Sequence, residues 1–233
     1  MADPGNPVQA PWQISREELI VQQDQLGKAS PDPWQENAGM SLVAGCFICY
    51  PKGHEGRGTA GDPCWAAAVL MRDGALDTVE VMAGKVSEGY EPGLLALREG
   101  PFLEAVLRRL PRRPDVLLVN ATGRDHPRRA GLALHLGARL SLPTVGVTRN
   151  PLLAQGSWPP DERGAGAPLR IGEETVGYWL RTRHGSPPLA VHAAWRTSPE
   201  TAVKVVLAAM GRWRTPEPLR HARSAARTAR ARS

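Results

Sequence analysis

The sequence predicts an α/β protein built on one mixed β-sheet that is flanked by helices. Three apolar runs of strand length come first, over residues 41–50, 65–72 and 78–86. Asp73 and Gly74, between the last two runs, are typical of a tight hairpin turn. Helical and strand patterns then alternate, which indicates parallel strands joined by helices. Three antiparallel strands followed by parallel strands therefore make a sheet of mixed direction.

The elements of the first half can be assigned from their boundaries and apolar spacing. Ser15 and Glu18 form a capping-box pattern, so a helix is predicted over about residues 16–28. After the three strands, residues 92–110 carry apolar side chains at helical spacing. Residues 116–119 are apolar throughout, as expected of a short strand in a sheet covered on both faces.

The second half continues this alternation. A helix is predicted over residues 129–140, and a strand over residues 144–147. The remaining predicted elements are a Gly/Pro loop over 155–168, strands over 176–182 and 189–192, and a helix from Ser198 and Pro199 to about residue 210.

Length and charge favour one domain with two tails. We expect a flexible arm over residues 1–13, a folded domain over 14–218 and a basic, disordered tail over 219–233. From Arg212 onward there are seven arginines and one acid, Glu217, so this stretch alone accounts for the formal net charge of +6. The folded body is near neutral by count, whereas the tail is able to attract phosphate-rich partners such as nucleic acid.

The composition also bears on location. No apolar run approaches the roughly 20 residues that a membrane-spanning helix requires. The polar, Pro-rich N-terminus has no basic or apolar region typical of a secretory signal. We therefore expect a cytoplasmic protein with no membrane partner.

Several segments, taken in order, resemble the endonuclease V family. The most specific is residues 114–131, which includes the run from His126 to Arg129. The other segments are 42–45, 90–93, 97–99, 143–147, 196–202 and 215–218. The resemblance covers about residues 15–220. It implies an RNase H-like fold and metal-assisted cleavage of DNA or RNA near deaminated bases.

The same resemblance implies four carboxylates that hold Mg²⁺, and this chain departs from that pattern. Phe47 stands at the first aspartate, Asn120 at the third and Glu200 at the fourth, while Glu99 matches the second ligand. Phe47 has no ligand atom, and Asn120 is neutral. Because Mg²⁺ requires oxygen ligands in near-octahedral geometry, we expect no metal, no other cofactor and loss of the family's nuclease chemistry. Asp125 is the nearest acid that could substitute, although a solvated loop residue is the simpler interpretation.

Cationic side chains remain where acids are lost. The resemblance implies that His126, Arg128, Arg129, Arg149 and Arg196 surround the former metal site. Without a metal, arginine forks match the oxygens of phosphate or sulfate, so an anionic small molecule is the predicted ligand. The alternatives are that the adjacent arginines lie on a solvated helix face and that the histidine is a polar residue near a helix start.

The remaining candidates complete this predicted site. Glu99, Glu200 and His126 are the catalytic candidates, with the two carboxylates as general bases. Tyr90, in the loop that resembles the family's wedge loop, and Trp195, beside the site by resemblance, are further ligand-binding candidates with Asn120. For Trp195, ordinary core packing is the alternative.

Three functional hypotheses follow. The first is a metal-independent enzyme, or a subunit of a biosynthetic enzyme complex with a partner protein, that binds an anionic ligand in the old cleft. The second is a nucleic-acid-binding protein without cleavage, which uses the basic tail and Tyr90. The third is a divergent active endonuclease on inosine-containing DNA or RNA.

Overall fold

The computed structural model describes residue 12 and residues 14–35, 41–53 and 58–233, which form layers of helices around a sheet. The helices are α1 (Arg16–Lys28), α2 (Leu95–Leu107), α3 (Leu132–Leu140), α4 (Pro199–Ala208) and α5 (Glu217–Arg232). The strands are β1 (Leu42–Cys49), β2 (Pro63–Arg72), β3 (Ala75–Lys85), β4 (Val116–Val119), β5 (Thr144–Thr148), β6 (Gly166–Ile171), β7 (Glu174–Leu180) and β8 (Leu189–Ala193).

The strands of the described residues form one sheet in the order β3-β2-β1-β4-β5-β8-β7-β6. β1, β2 and β3 are an antiparallel meander, and Asp73 (φ 48°) with Gly74 (φ 80°) makes the turn between β2 and β3. β4 runs parallel to β1, and β5 runs parallel to β4. The predicted α/β class and mixed sheet are therefore confirmed.

The far side of the sheet is a second antiparallel meander, which the sequence did not predict. β8 runs antiparallel to β5, and β7 and β6 continue the alternation. β6 begins inside the segment that was expected to be a Gly/Pro loop. It lies at the edge of the sheet, where Pro168 is tolerated because an edge strand does not need every amide for pairing. Leu169 is fully buried and anchors this strand to the core.

Two helix starts show how local backbone chemistry sets the boundaries. The α1 capping box is confirmed, because the Ser15 hydroxyl accepts from the Glu18 amide (3.1 Å) and the Glu18 carboxylate accepts from the Ser15 amide (2.6 Å). α3 begins at Leu132 rather than near residue 129. Arg129 has a φ of 56°, a left-handed conformation that cannot continue into a right-handed helix.

The basic C-terminal segment is a packed helix, so the expectation of a disordered tail over residues 219–233 does not hold. α5 extends to Arg232 and lies against β1 and β2. Leu219, Ala222 and Ala226 are buried on its inner face, at the spacing of one helical stripe. Charge counting missed this stripe because two of its three members are alanines. Gly45 permits the close approach, since a Cβ there would lie 2.5 Å from the backbone of Pro218.

Most of the expected N-terminal arm lies outside the described residues. Trp12 is described, and its ring stacks on His135 with 5.0 Å between the ring centroids. Its indole N–H donates to Glu104, so this part of the arm is attached to α2 and α3. None of the described helices combines the length and the apolar composition that crossing a bilayer requires.

Candidate functional site

A cleft of about 490 Å³ opens at the ends of β1 and β4, beside the first turns of α2. β1 and β4 are parallel neighbours. Phe47, near the end of β1, and Asn120, just after β4, therefore lie side by side at the C-terminal ends of these strands, which form one edge of the cleft. Glu99 reaches this edge from α2, and Tyr90, which is 41% exposed, borders it from the preceding loop. The structure thus brings together four of the residues that the sequence singled out.

Glu99 is the carboxylate of this cleft. The hydroxyl of Tyr50 donates to it over 3.3 Å. Burial raises the pKa of Glu99 from its usual 4.5 to about 7, while the hydrogen bond from Tyr50 and the charge of Arg98 oppose the increase. The carboxyl group therefore exchanges its proton near neutral pH.

Arg98 organises the wall behind Glu99, a role that was not predicted although residues 97–99 belong to the segments that resemble the family. The side chain is 3% exposed, and its guanidinium pairs with Asp62 over 2.6 Å. It also donates to the carbonyls of Thr59 (2.9 Å) and Glu88 (2.7 Å) and lies 4.4 Å from the ring centre of Tyr50. The guanidinium of Arg98 is thus occupied by contacts that hold the loops around the cleft.

A second depression, of about 310 Å³, adjoins the cleft at Asn120, which lines both. Its most prominent feature is a group of arginines from the end of β5, the loop before β8, the segment that leads into α5 and the start of α5 itself. We call this depression the arginine groove. These arginines are Arg149, Arg183, Arg214, Arg220 and Arg223. Trp213, which is 42% exposed, also borders it.

The charges of the arginine groove are only partly neutralised. Arg220 pairs with Glu217, its Nε lying 2.7 Å from the carboxylate. Within the described part of the chain, neither Arg149 nor Arg223 forms an ion pair. Burial lowers the pKa of Arg223, and the neighbouring charges of Arg227 and Arg149 lower it further. The groove therefore concentrates positive charge that an anion would stabilise.

Comparison with known proteins identifies the family. The family model for endonuclease V matches residues 26–224. This chain belongs to the endonuclease V family. It is 37% identical to endonuclease V from Streptomyces avermitilis over 225 residues, which is 95% of each chain. It is also 39% identical to endonuclease V from Roseiflexus castenholzii over 214 residues, covering 91% of this chain and 92% of that relative.

Solved endonuclease V structures share the fold. The crystal structure of the Streptomyces avermitilis endonuclease V superposes with a TM-score of 0.82 at 34% identity, covering 95% of each chain. An endonuclease V from Ciona intestinalis, in complex with a DNA that contains an inosine, has a TM-score of 0.78 at 21% identity and covers 93% of this chain and 97% of that one. These similarities confirm the RNase H-like architecture.

The endonuclease V family implies Mg²⁺, but the residues of this cleft do not fit that ion. Phe47 packs its ring with Ala67 and Ala226, between the sheet and α5. Asn120 offers one neutral oxygen, and Glu99 is the one carboxylate that lines the cleft among the described residues. Across the ranges that the structure describes, no group of three or more His, Cys, Asp or Glu side chains is placed to hold a metal. One carboxylate beside a neutral amide and a phenyl ring supplies fewer charged ligands than the four acids that the family resemblance implies for Mg²⁺.

His126 and Arg128, expected beside the ligand, instead fasten the loop that follows Tyr90. His126 is 4% exposed, its Nε2 donates to the carbonyl of Gly93 (3.0 Å), and its Nδ1 accepts from the amide of Arg128 (3.2 Å). Burial lowers the pKa of His126. Arg128 donates to the Gln23 side chain of α1 over 3.1 Å. Both residues therefore position the edge of the cleft without lining it.

Arg129 and Arg196 lie away from the cleft, which corrects their predicted placement around the former metal site. Arg129 pairs with Glu174 over 3.1 Å. Arg196 donates to the carbonyl of Asp32 over 3.1 Å. Both residues have left-handed backbone conformations. The directions of their side chains could therefore not be predicted from residue spacing in the sequence.

Trp195 and Glu200 are also displaced from the cleft. Trp195 is 1% exposed and packs in the core against Gly137, so the core-packing alternative is the correct one. Glu200 lies in the first turn of α4, where the hydroxyl of Tyr178 donates to it over 3.1 Å. Of the predicted cations, Arg149 alone reaches Asn120, and the arginines of α5 occupy the space beside it.

Asp125, considered as a substitute metal ligand or a solvated residue, is neither. It is 0% exposed, and its carboxylate accepts from the amides of Leu152 (2.7 Å), Leu153 (2.8 Å) and Ala154 (2.8 Å). These bonds hold the loop after β5 in position. No local sequence signal links residue 125 to a loop nearly thirty residues later, so only the fold reveals this contact.

Proposed function

We propose that this protein is an endonuclease V family member that binds phosphate or sulfate groups in the arginine groove, without the Mg²⁺-dependent cleavage of its family. One observation carries the proposal. A cleft in which Glu99 is the one carboxylate among the described lining residues continues through Asn120 into a groove bordered by five arginines. The family's metal chemistry requires the opposite charge arrangement, because a dication must be neutralised by acids.

The arginine groove has the chemistry of an oxyanion site. Guanidinium groups present paired N–H donors that match two oxygens of phosphate or sulfate at once. Arg149 and Arg223 have no ion-pair partner among the described residues, so binding an anion disrupts no existing salt bridge there. Arg214 is held by the carbonyls of Pro187 (2.7 Å) and Pro188 (2.9 Å), which limits the conformational freedom lost on binding.

Glu99 gives this proposed site a general base. A carboxyl group with a pKa of about 7 is able to take up and release a proton near neutral pH. A metal-independent enzyme, or one subunit of a biosynthetic enzyme complex, fits this combination of base and anion site. A partner protein remains part of the proposal.

Nucleic acid is the second candidate ligand, and a specific observation favours it. Exposed aromatic rings border both parts of the site, Tyr90 at the cleft and Trp213 at the arginine groove. A positively charged path with aromatic rings is the usual design for binding single strands. The related endonuclease V from Ciona intestinalis is bound to inosine-containing DNA.

Calorimetric titration tests the proposed binding. The full chain is titrated in the absence of metal with inorganic phosphate, sulfate and a short inosine-containing oligonucleotide. Arg149→Gln and Arg223→Gln are each expected to weaken anion binding by about 10-fold, since each removes a charge-assisted contact of roughly 1.5 kcal/mol. Arg163→Gln, an exposed arginine outside the groove, is the matched control. No binding of any of the three ligands would refute the proposal.

A nuclease assay tests the expected loss of cleavage. The chain is incubated with an inosine-containing strand in Mg²⁺ or Mn²⁺, and the products are separated on a denaturing gel. We expect no nicking with either metal. Metal-dependent nicking that Glu99→Gln abolishes would instead establish a divergent active endonuclease.

A further inference from the structure

A chain of three polar side chains leads from the arginine groove into the core. The hydroxyl of Thr148, at the end of β5, lies 2.8 Å from Nε2 of His192 on β8. Nδ1 of the same imidazole lies 3.6 Å from Oδ2 of Asp125. Thr148 borders the arginine groove, while His192 and Asp125 are both 0% exposed.

The inner end of this chain is rigid. Three backbone amides of residues 152–154 fix both oxygens of Asp125. Nδ1 of His192 is buried and makes no hydrogen bond within the described structure, so Asp125 is the charged group that it faces. β5 and β8 are antiparallel neighbours with Gly146 opposite His192, so the ring reaches Thr148 across the sheet. The imidazole is therefore held between a hydroxyl and a carboxylate.

The imidazole of His192 is uncharged near pH 7, and the same burial makes it a weaker base than a free imidazole. Burial lowers the pKa of His192 to about 4, although the charge of Asp125 opposes the change. His192 is thus neutral near pH 7, and its Nε2 is able to accept the proton of Thr148. That proton has a second acceptor, the carbonyl of Asn150 at 2.6 Å, so the hydroxyl has two orientations available.

We propose that Thr148, His192 and Asp125 form a metal-independent nucleophilic relay that acts on a phosphate monoester held by the arginine groove. The order of hydroxyl, imidazole and carboxylate is the one that activates hydroxyl groups in unrelated hydrolases, with Asp125 acting on the imidazole through its charge at 3.6 Å and not through a hydrogen bond. This inference depends on the proposed phosphate binding, because the groove arginines must hold the phosphoryl group beside Thr148.

The reaction is balanced without a metal or a redox partner. The Thr148 oxygen attacks phosphorus, its proton passes to Nε2 of His192, and the bond from phosphorus to the leaving alcohol breaks. The leaving oxygen, on the opposite side of phosphorus from Thr148, takes its proton from solvent water. Water then attacks the phosphothreonine from that opposite side and loses a proton to solvent, while His192 returns its proton to the Thr148 oxygen, which releases inorganic phosphate and restores the hydroxyl. Guanidinium groups such as those of Arg149 and Arg223 stabilise the charge on the transferred group.

The test uses the full chain in EDTA with p-nitrophenyl phosphate as the probe. Nitrophenolate release is followed by absorbance, and the intact mass of rapidly quenched protein reports one added phosphoryl group. We expect Thr148→Val to abolish the mass adduct and to lower the rate about 100-fold or more, whereas Thr148→Ser retains both signals. Thr228→Val is the matched control, because this threonine is exposed on α5, does not line the groove and forms no part of the relay.

Each result has a defined meaning. His192→Asn keeps a polar side chain at this position but removes the imidazole base. We expect it to lower the rate of nitrophenolate release as much as Thr148→Val does. An equal rate in wild type and Thr148→Val, or no release and no adduct from wild type, overturns the relay. Phosphate binding measured in the same preparations separates the two proposals, since the groove can bind phosphate even if the relay is wrong. Circular dichroism identifies any variant that has not folded.

Discussion

At the scale of single residues, side-chain identity determines what the cleft is able to bind. Phe47 replaces a potential ligand with a ring that packs into the cluster formed with α5. Asn120 keeps an oxygen but carries no charge, and Glu99 keeps its carboxyl in a setting that favours the protonated form. Of these three side chains, Glu99 is the one that is able to carry the negative charge that a cation requires.

The pKa of Glu99 predicts how stability depends on pH. Its folded pKa of about 7 lies above its usual 4.5, so the native state holds the proton more tightly than the unfolded state. The stability gained from this protonated group is present at low pH and is lost as pH rises through about 7. The side chain of the Glu99→Gln variant resembles the protonated, neutral carboxyl group. We therefore expect this substitution to change the free energy of unfolding more favourably at pH 8 than at pH 5. The expected difference is roughly 2 kcal/mol after a discount for the partial exposure of the side chain.

Denaturant unfolding of wild type and Glu99→Gln at the two pH values measures this difference. Glu91→Gln, at an exposed position in the loop before α2, serves as the control because, among the residues that the structure describes, its carboxyl group pairs with the exposed Arg16. An identical effect of Glu99→Gln at both pH values would contradict the raised pKa.

Residues whose roles depend on distant partners could not be predicted individually. His126 and Arg128 belong to the segment that most clearly resembles the family, yet their contacts are with Gly93 and Gln23. The proximity of Asp125 to His192 was not predicted, because it joins two segments far apart in the chain. Comparison of each position with the family pattern identified the unusual residues. It did not predict which residues they contact.

At the scale of elements, α5 has two functions that its composition concealed. One face buries Leu219, Ala222 and Ala226 against the sheet, and another presents Arg220 and Arg223 to the groove. An arginine-rich, alanine-rich segment is compatible with disorder by charge alone. The helix is stable here because its small side chains allow close packing on β1.

The packing of α5 predicts a position-specific loss of stability. Ala226→Glu buries a carboxylate against Ala67 and Cys49, and we expect it to lower the free energy of unfolding by about 3 kcal/mol. Thr228→Glu, exposed on the same helix, is expected to change it by less than about 0.5 kcal/mol. Chemical denaturation of both variants provides the comparison. Equal effects would indicate that α5 is not packed on the sheet.

At the scale of the whole molecule, folding converts a charge excess at one end of the sequence into a localised positive site. The near-neutral body contributes Arg149 and Arg183, and the C-terminal segment contributes Arg214, Arg220 and Arg223. These groups come together because α5 packs beside the ends of β1 and β4. A net charge of +6 is modest, but its concentration in one groove next to the cleft makes it effective.

This concentration of charge predicts how binding of a single-stranded oligonucleotide responds to salt. The logarithm of the affinity is expected to fall linearly with the logarithm of salt concentration, because phosphate contacts release counterions. Arg149→Gln and Arg223→Gln are each expected to reduce that slope by about 1. Fluorescence anisotropy at several salt concentrations measures it, with Arg163→Gln as the control. Unchanged slopes in both groove variants would exclude the groove as the path for nucleic acid.

The sequence by itself determined the α/β class, the first meander, the boundaries of α1 and the family, because capping, turn chemistry and apolar periodicity act over a few residues. It also identified the altered positions Phe47 and Asn120. The tertiary structure decided that α5 is a helix of the core, that β6 to β8 form a second meander, and that Trp195, Arg196 and Glu200 lie away from the cleft. These outcomes depend on packing between residues distant in the chain, and a local pattern carries no record of such contacts.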